Sequence, residues 1–446
     1  MATISVVIPS YNSAAALKLC LTALVRSRDH LREIIVVDDE SEDNTKEVAA
    51  AFPVELLSTG RRRRGPAFAR NLGAKAASGD ILLFLDSDVC VHDTTIPAIC
   101  GSFDADPELD ALIGSYDDNP QAPDFISQYR NLMHSWVHHQ AKRTASTFWS
   151  GCGAIRRSLF LRHNGFTEQY GRPAVEDIEL GYRLVRSGRK IILDRQLEVQ
   201  HLKCWTFWSL VRTDVQDRAI PWTELILRDR LMPNDLNLQM RQRFSVALVF
   251  ALIAVFGYMA LTGGTRFLVP LLAILFVMLA RYWSEFPDSR HTRMAFAAML
   301  CAGLTVVALS YSHQMLGLML PVILSPVLLL LRQRYAAKRP RRKFVRALGV
   351  TYIACSVVAA GAYLPLNRPV FVCLAILGML GLVNSQFYLF LASKRGLPFM
   401  LAAIPFHLLY YFYSGLSFIF GVVSHLWDRS VSTVAHNSVK PKHADT

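Results

Sequence analysis

The sequence lacks paired cysteines, internal repeats and low-complexity segments. Its eight cysteines include no C-x-x-C pair and no other zinc spacing, which excludes the common zinc-binding folds and indicates the reduced, mostly buried thiols of a cytoplasmic and membrane protein. The N-terminal stretch MATISVVIPSYN has no basic region, an apolar run of only about six residues and no A-x-A site. We therefore expect a first β-strand there and not a signal peptide.

Acidic residues are also scarce, since the chain has 35 Asp and Glu against 48 Lys and Arg, for a formal net charge of +13. Such an excess can indicate nucleic-acid binding, but many of the C-terminal basic residues lie in short clusters between hydrophobic stretches. The positive-inside rule places clusters of this kind on the cytoplasmic side of a membrane. We therefore expect a membrane as a partner, and no nucleic acid.

Long hydrophobic stretches are absent from the first half of the chain and dominate the second half, from Phe244 onward. A helix needs about 20 apolar residues to cross a hydrocarbon core of about 30 Å. The candidate spans are 244–262, 267–283, 294–312, 315–331, 347–365, 369–392 and 399–424. Their number, about six or seven, stays open because several are short and one contains Pro321 and Pro326. The last stretch is long for one span and could begin as an interfacial helix.

The loops between these stretches differ in charge. The loop at 332–346 is strongly basic, and the clusters at 281–293 and 394–395 are basic as well. The alternate loops hold little more than Arg266 and Arg368. This alternation predicts a multi-pass protein of the cell (inner) membrane, with the N-terminal half in the cytoplasm.

The first half alternates β-branched runs with helical segments, which is typical of an α/β protein with a mainly parallel sheet. The predicted strands are 4–9, 33–39, 54–58 and 80–86. Ligands of such sheets bind at the C-terminal ends of the strands. Three of the predicted strands end in chemically distinctive residues: PSYN at 9–12, DD at 38–39 and DSD at 86–88. We therefore expect the functional site at this edge.

Asp86 and Asp88 alternate with a serine at a strand end, so both carboxylates can turn to one side of the loop. There they could share one Mg²⁺ or Mn²⁺ ion, which keeps open positions for the phosphate oxygens of a substrate. The alternative is an acidic turn that caps the next helix. Asp93 lies beyond the motif and is expected to be such a cap.

Asp38 and Asp39 close the second predicted strand, where a carboxylate can accept hydrogen bonds from a nucleobase N–H or a ribose hydroxyl. The alternative is a helix N-cap, for which Ser41 is also a candidate. Arg70 lies in a helix that points to the same edge, and we expect it to face a diphosphate. For the arginine run at 61–64, a solvated loop or a membrane-surface patch stands beside phosphate contact as an interpretation.

Five segments together resemble the successive motifs of family 2 glycosyltransferases of the GT-A fold. They are VVIPSYN, IVVDDESEDNT, GPAFARNLGAKAASGDILLFLDSDV, GCGAIRRSLF with NGF, and VEDIELGYRLVRSG. The resemblance covers roughly residues 3–220. It implies a Rossmann-like nucleotide-diphospho-sugar transferase domain, in which a D-x-D motif holds a metal on the donor diphosphate and the sugar is transferred with inversion. A UDP-sugar is the expected donor.

The resemblance also implies roles for individual residues in donor binding. Pro9 and Tyr11 would shape the base pocket, while Asp38 and Asp39 would contact the nucleoside. Asp86 and Asp88 match the metal motif, with Asp88 as the more direct ligand, and Asp86 and Arg70 complete the predicted donor contacts. His201 lies about where some enzymes of this fold have a histidine as a further metal ligand; a packed or interfacial histidine is the alternative.

Asp177 matches the general base that deprotonates the acceptor hydroxyl, and Glu176 lies beside it. Inverting transfer is an in-line displacement, which needs a cation behind the leaving diphosphate and a base on the opposite face. Taken alone, the pair could equally be the acidic first turn of a helix. Cys152 belongs to the loop that faces the acceptor in the family, and a reactive thiol is the alternative.

The chain departs from the family's processive synthases in one motif. The segment QDRAIPW at 216–222 has the letters of their Q-x-x-R-W motif but not its spacing, although Arg218 and Trp222 could still lie near the acceptor. The preceding stretch HLKCWTFWSLVR, with Trp205, Phe207 and Trp208, is typical of a segment lying at the membrane surface.

The sequence therefore predicts a cytoplasmic GT-A domain at 1–225, an interfacial linker at 226–243, an all-α transmembrane region at 244–426 and a polar, disordered tail at 427–446. The expected function is metal-dependent, inverting transfer of a sugar to a membrane-associated lipid or lipid-linked glycan acceptor, in envelope or extracellular polysaccharide or glycolipid biosynthesis. A processive polysaccharide synthase with a translocation pore is the alternative. A membrane transporter or scaffold with a non-catalytic transferase domain is a remote one.

Overall fold

The structure is a computed structural model that describes residues 2–263 and 368–438. The predicted spans 267–283, 294–312, 315–331 and 347–365 lie outside the described residues, as do residues 439–446. Met1–Val246 together with Asn384–Thr446 form one compact unit, and Ala247–Val383 form a second.

The strands of the described residues form one mixed sheet. They are β1 (Ile4–Ser10), β2 (Leu31–Asp38), β3 (Glu55–Ser58), β4 (Ile81–Leu85), β5 (Val89–Val91), β6 (Ala111–Tyr116), β7 (Thr144–Ala145), β8 (Cys152–Arg156) and β9 (Ile191–His201). The order is β3-β2-β1-β4-β8-β6-β9-β5, with β7 paired to β9. The half formed by β3, β2, β1 and β4 is parallel, as the sequence predicts. The other half is mixed, because β8 runs antiparallel to both β4 and β6.

Helices cover both faces of this sheet and continue into the C-terminal part of the chain. In the first part they are α1 (Ala14–Val25), α2 (Thr45–Ala50), α3 (Pro66–Ala76), α4 (Thr95–Ala105), α5 (Phe125–Gln140), α6 (Arg157–Arg162), α7 (Glu176–Arg186), α8 (Phe207–Arg212), a π-helix (Thr213–Ala219) and α9 (Ile220–Asp229). They are followed by α10 (Met240–Gly263), α11 (Arg368–Val383), α12 (Ser385–Arg395) and α13 (Leu397–Ser438). Short 3-10 turns at Arg28–His30 and Leu236–Leu238 complete the described elements.

The core has two layers because successive residues of a strand point to opposite faces of the sheet. Val6 and Ile8 of β1 pack in one cluster with side chains of α1 and α4. Val7, between them, packs in the other cluster with side chains of α3, α6 and α7. The sheet is therefore buried on both faces, which leaves the strand ends as the place where polar side chains reach solvent.

Gly73 allows α3 to lie directly on β1 and β2. A Cβ atom at this position would lie 2.5 Å from Cγ1 of Val7 and 3.1 Å from Cγ2 of Val37. We expect Gly73→Ala to lower the free energy of unfolding by about 1–3 kcal/mol, because the added methyl group forces α3 away from the sheet. The matched control is Gly101→Ala in α4, where no atom lies within 4 Å of the added Cβ.

The control is expected to be neutral or to stabilise by up to about 1 kcal/mol, since alanine favours the helix over glycine. Thermal unfolding of the two purified full-length variants beside the wild type measures both effects. Equal melting temperatures for the two variants would contradict the close approach of α3 to the sheet.

Helices α12 and α13 pack on the α/β domain. Phe387, Tyr388 and Leu391 of α12 form one apolar cluster with α5. Tyr413 of α13 donates a hydrogen bond of 2.6 Å to the buried carboxylate of Asp214 in the π-helix, and this carboxylate also pairs with Arg130 of α5. The structure divides the chain after Val246, close to the expected residue 244, but from Asn384 onward the chain again belongs to the compact unit that holds the α/β domain.

Within the described residues, two helices are long and apolar enough to cross a membrane, Met240–Met259 and Leu397–Trp427. The count is up to 3 if Pro369–Val383 and Ser385–Arg395 are taken as one broken span. The predicted span 369–392 is interrupted at Asn384, which caps α12. Helix α13 continues to Ser438, so residues 427–438 are helical where the sequence predicted disorder. Helix propagation explains the difference, since each added residue gains one hydrogen bond on an existing helix.

Candidate active site

The C-terminal ends of β1 and β2 are tied together by hydrogen bonds. The backbone N–H of Asn12 donates to Oγ of Ser41 (2.9 Å), and the N–H of Glu42 donates to Oδ1 of Asn12 (2.8 Å). Asn12 and Glu40 both adopt positive φ angles, 47° and 62°. A polar side chain that bonds to the neighbouring backbone helps to hold such a turn. The two strand ends therefore form one fixed rim.

The carboxylates of Asp38 and Asp39 are both buried at this rim. Asp38 accepts from the N–H of Ser41 (3.2 Å) and lies 3.4 Å from Nζ of Lys46. It thereby orders the turn after β2. Both residues were predicted to contact the nucleoside, and this contact stays a prediction for Asp38.

Asp39 organises the arginine-rich loop. Its Oδ1 accepts from Oγ1 of Thr59 (2.8 Å) and from the N–H of Arg64 (2.7 Å), and its Oδ2 accepts from the N–H of Gly65 (2.8 Å). The guanidinium of Arg63 lies 3.9 Å from Oδ2 of Asp39. Three hydrogen bonds leave little of this carboxylate for a ligand, so its contact with a nucleoside remains a prediction.

Tyr11 and Pro9 differ in their access to solvent. Pro9 is buried within β1 beside Val37. The ring of Tyr11 is partly exposed and stacks beneath the guanidinium of Arg63, 4.0 Å from the ring centroid. A guanidinium stacked on an aromatic ring at a strand end offers a flat surface on which a planar base could stack. Of the arginine run, Arg63 is thus placed beside the predicted base pocket.

Arg70 is buried and its charge is shared by two carboxylates. Its Nη2 donates to Oδ1 of Asp86 (2.6 Å) and its Nη1 donates to Oε1 of Glu176 (3.0 Å). Burial opposes the charge of the Arg70 guanidinium, but the two carboxylates raise its pKa, so the residue stays protonated. Without a donor, the guanidinium of Arg70 is thus engaged by two protein carboxylates, and its contact with a diphosphate stays a prediction.

Asp88 and His201 meet because β5 and β9 are paired. Val89 is opposite His201 in the antiparallel register, and the N–H of Leu202 donates to the carbonyl of Asp88 (2.9 Å). Oδ2 of Asp88 lies 3.7 Å from Nε2 of His201. Burial alone would raise the pKa of Asp88, but the imidazole of His201 and the ammonium of Lys203 lower it to about 2. The carboxylate is therefore ionised at neutral pH.

The orientation of His201 is set by Asn131 of α5. Oδ1 of Asn131 accepts from Nε1 of Trp205 (3.1 Å), and its Nδ2 donates to the carbonyl of Lys203 (3.2 Å), so the amide has one consistent orientation. The same Oδ1 lies 2.8 Å from Nδ1 of His201. Nδ1 of His201 thus carries a proton, and Nε2 lies on the side of Asp88, where it would have to give up its own proton before it could bind a cation.

Asp88 and His201 therefore lie side by side as a carboxylate and an imidazole, and with the Nε2 proton displaced they fit two ligands of a divalent cation. Oδ1 of Asp86, the third predicted ligand, is paired with Arg70, and its role as a metal ligand stays a prediction. No group of three or more His, Cys, Asp and Glu side chains in the described ranges could by itself hold a metal ion. Further ligands would have to come from substrate phosphates or water.

Asp177 lies in the first turn of α7 and is held by the loop before β8. Its Oδ2 accepts from both the N–H and the Oγ of Ser150 (3.1 Å each), and its Oδ1 accepts from the N–H of Ile178 (2.8 Å). Burial raises the pKa of Asp177, while the Ser150 N–H and the charge of Arg70 act against this rise. A carboxylate with a raised pKa is a stronger base than an exposed one.

Glu176 is less accessible than Asp177. It is 4% exposed, and its oxygens accept from Arg70 and from the N–H of Ala174 (2.9 Å). Asp177 is partly exposed. Of the two predicted catalytic acids, Asp177 is therefore the one that an acceptor hydroxyl can reach, while Glu176 holds Arg70.

The structure also bears on three further predictions, for Cys152, for Asp93 and for the aromatic stretch around Trp205. Burial raises the pKa of Cys152 to about 12, which makes a reactive thiolate unfavourable. Asp93 does not cap α4, whose N-cap is Thr94; it is exposed and lies 3.6 Å from Arg26. In the aromatic stretch, Trp205 is buried and only Trp208 is largely exposed, so the indole of Trp205 packs inside the domain.

Arg218 and Trp222 lie in different surroundings. Nη1 of Arg218 lies 2.9 Å from Nε2 of His134, a buried histidine of α5. Trp222 donates from Nε1 to the hydroxyl of Tyr182 (3.0 Å) and packs in an apolar cluster with Val175. Trp222 is therefore a core residue, whereas Arg218 is partly exposed.

Ser150 and Asn131 are the site residues that the sequence did not identify. Ser150 is 27 residues from Asp177, and Asn131 is 70 residues from His201. One signal was available for α5, whose sequence QYRNLMHS has polar residues on every side. A helix with that pattern needs buried polar partners, which here are Asp214 for Arg130 and His201 for Asn131.

Comparison with known proteins finds similarity in the N-terminal part of the chain. Residues 5–163 match the family described as Glycosyl transferase family 2. The chain is 29% identical over 197 residues to the pre-mycofactocin glycosyltransferase of Mycobacterium tuberculosis, covering 42% of this chain and 40% of that protein. It is 35% identical over 88 residues to the Escherichia coli UDP-Glc:alpha-D-GlcNAc-diphosphoundecaprenol beta-1,3-glucosyltransferase WfgD, covering 19% of this chain and 34% of that protein.

The chain thus spans less than half the length of these two curated relatives. Among solved structures, it is similar to a mannosyltransferase, PcManGT from Pyrobaculum calidifontis, crystallised with GDP-Man and Mn²⁺. That likeness has 18% sequence identity and a TM-score of 0.44, and covers 80% of this chain and 86% of the other.

Proposed function

Because residues 5–163 form a family 2 glycosyltransferase domain, we propose that the protein transfers a sugar from a nucleoside diphosphate sugar to a membrane-associated acceptor, with inversion at the anomeric carbon. The observation that carries this proposal is the arrangement of Asp177, held by Ser150, and of the facing pair Asp88 and His201. These supply a base for the acceptor and a cation site for the leaving group, the two functions that an inverting displacement needs.

In the proposed reaction Asp177 removes the proton from an acceptor hydroxyl as its oxygen attacks the anomeric carbon. The new glycosidic bond forms while the bond from that carbon to the diphosphate oxygen breaks, and the proton ends on the Asp177 carboxylate. Ser150 donates two hydrogen bonds to Oδ2 of this carboxylate, which keeps it in one orientation. The raised pKa of Asp177 favours proton acceptance.

Asp88 and His201 would hold the divalent cation, and Asp86 would be a further ligand if a bound donor displaced it from Arg70. Such an ion, when bound, neutralises negative charge on the leaving diphosphate. A site with an imidazole ligand is better suited to Mn²⁺ than to Mg²⁺, which prefers oxygen ligands. Arg70 then acts as a positioning residue that fixes Asp86 and Glu176.

The acceptor is proposed to be lipid or lipid-linked. Helix α13 carries exposed apolar side chains along its length: Leu397, Leu401, Leu416, Phe418, Ile419, Phe420, Val423, Leu426 and Trp427. An apolar surface of this extent on a helix that packs against the catalytic domain is typical of membrane contact. The printed name of the relative WfgD specifies a diphosphoundecaprenol acceptor for that protein, which supports the same class of acceptor here.

The direct test is a panel of nucleotide sugars, each scored for protection of the purified protein against thermal unfolding with and without Mn²⁺. A donor at 100 times its dissociation constant stabilises by about 2.7 kcal/mol, which is easily measured. We expect one donor class to protect, and the protection to require the metal. Asp88→Asn should lose the metal-dependent part, while Asp29→Asn, in an exposed 3-10 turn before β2, should keep it.

Absence of both protection and transfer with every donor and metal would contradict the proposed function. The length of the product distinguishes an enzyme that transfers a single sugar from a processive polysaccharide synthase. One added sugar per acceptor is expected, because the chain lacks the Q-x-x-R-W spacing. A long polymer would instead identify a processive synthase.

A further inference from the structure

The connection between α12 and α13 encloses a cleft on the surface of the α/β domain. Helix α12 ends at Arg395, Gly396 turns the chain with a φ angle of 83°, and α13 begins at Leu397. The cleft beside this turn has a volume of about 520 Å³. Its walls combine apolar side chains (Pro120, Pro123 and Phe399) with polar ones (Gln121, Gln128 and Arg395). None of the residues predicted for catalysis, donor binding or metal binding lines it.

The charge of Arg395 is held in place without being neutralised. Its Nε donates to Oε1 of Gln128 (2.6 Å), its Nη2 to the carbonyl of Asp118 (3.2 Å) and its Nη1 to the carbonyl of Lys394 (2.9 Å). All three acceptors are neutral, and no carboxylate of the described residues forms an ion pair with Arg395. The carboxylate of Asp118 pairs with Lys394 instead. The cleft thus contains a fixed guanidinium with a full positive charge.

The surroundings of the cleft are those of a lipid contact. Leu389 of α12 is 67% exposed, and Leu397 and Leu401 of α13 are 59% and 54% exposed. Large apolar side chains exposed together on both sides of one turn indicate a surface that does not face water. Basic residues next to an apolar helix lie at the level of the lipid headgroups. Arg395 is two residues before α13, whose N-terminus adds a favourable field for an anion.

We propose that this cleft binds the phosphate headgroup of an anionic membrane phospholipid, separately from the acceptor that takes part in sugar transfer. The guanidinium of Arg395 provides donors for the phosphate, since arginine pairs well with phosphate oxygens. Phe399 and the two prolines provide apolar contact for the part of the lipid next to the headgroup. The inference rests on the membrane association proposed above and not on the transfer reaction.

The test uses full-length protein in nanodiscs of phosphatidylcholine with increasing fractions of phosphatidylglycerol. We expect the anionic lipid to raise the melting temperature of the wild type. Arg395→Gln should require about five- to tenfold more phosphatidylglycerol for the same shift, the loss expected for one basic residue at a membrane surface. Arg395→Lys keeps the charge and should lie between the two. Arg162→Gln, an exposed arginine of α6, should match the wild type.

Two further variants separate lipid binding from structural support by Arg395. Gln128→Ala removes the side-chain partner of Arg395 but keeps its charge, so the preference for anionic lipid should persist. Gln121→Trp places a large ring at an exposed position of the cleft wall and should abolish the preference with Arg395 intact. If Arg395→Gln fails to fold, Gln121→Trp still tests whether the cleft binds the anionic lipid.

Three results would overturn the proposal. One is equal stabilisation by phosphatidylglycerol in the wild type, Arg395→Gln and Gln121→Trp. Another is an equal shift of the detergent-solubilised protein by inorganic phosphate, which would identify a site for a soluble anion. Protein that enters phosphatidylcholine nanodiscs without any preference for anionic lipid would leave membrane association and sugar transfer standing and remove only this inference.

Discussion

Replacing Asp177 by asparagine is expected to lower the rate of sugar transfer by about 10²- to 10⁴-fold and to leave donor binding nearly unchanged. Asparagine has the shape of aspartate, and its Oδ1 can still accept from Ser150, so the loop before β8 should keep its position. The capacity to take a proton from the acceptor hydroxyl is lost, together with the hydrogen bond from the N–H of Ile178. Turnover with the best donor of the panel, measured beside thermal protection by that donor, separates the two effects.

Asp29→Asn is the matched control, because the same chemical change is made at an exposed position before β2. It should retain the turnover of the wild type. Ser150→Ala tests positioning, since the N–H of residue 150 remains and only one of two hydrogen bonds to Asp177 is lost. We expect a decrease in kcat, with KM for the donor unchanged. Unaltered turnover of Asp177→Asn would exclude Asp177 as the base.

The pH dependence should follow the raised pKa of Asp177. A protonated carboxyl cannot accept a proton, so kcat/KM is expected to fall as the pH drops through this pKa. Because the pKa is raised, the fall should begin at a higher pH than for an ordinary aspartate. In Asp177→Asn the residual rate should lack this acidic limb, which a pH profile of the two proteins would show.

Replacing Arg70 by methionine is expected to destabilise the domain by about 3–5 kcal/mol, since the change leaves a buried carboxylate without its cation. Glu176 is the main source of this cost, because its side chain is 5% exposed, whereas that of Asp86 is 34% exposed. Thermal unfolding of the full chain measures the loss. Arg162→Met, at an exposed position of α6, should change stability by no more than about 0.5 kcal/mol.

The double variant Arg70→Met with Glu176→Gln should recover part of the lost stability, because it removes the uncompensated charge. The stability gap between Arg70→Met and the wild type should also narrow as the pH falls. Burial already raises the pKa of Glu176 in the wild type, where Arg70 acts against the rise, so without Arg70 the folded-state pKa is raised further and protonation stabilises the variant more than the wild type as the pH falls. If the stability losses of the two single changes simply add in the double variant, and the stability difference between Arg70→Met and the wild type is the same at every pH, Arg70 does not stabilise the charge of Glu176.

Several features of this protein follow from its sequence because they depend on short-range patterns. The β-branched runs predicted β1 to β4, and the polar residues that end these runs marked the edge where Tyr11, Asp39 and Asp86 lie. The order of five motifs resembled that of family 2 glycosyltransferases, and residues 5–163, which hold the first three of these motifs and most of the fourth, match that family. Residue type and position within a strand or helix are local properties, so a single sequence carries them.

Hydrogen bonds and ion pairs between residues far apart in the chain could not be predicted from such short-range patterns. The sequence did not indicate that Arg70 pairs with Asp86 and Glu176, the second of them 106 residues away. Asn131 orients His201 across 70 residues, and Tyr413 donates to Asp214 across 199. Each contact requires the chain to bring distant segments together, and the free energy of pairing buried charges then decides which partner is chosen.

The sequence by itself thus determined the class of domain, the strand ends that carry the candidate site, and the apolar character of the C-terminal half. Only the tertiary structure decided that Asp88 faces His201 while Asp86 turns to Arg70, and that α12 and α13 pack against α5 and the π-helix. The physical reason is burial. A buried polar group must find its partner among whatever the fold places beside it, and the spacing of residues along the chain does not specify those neighbours.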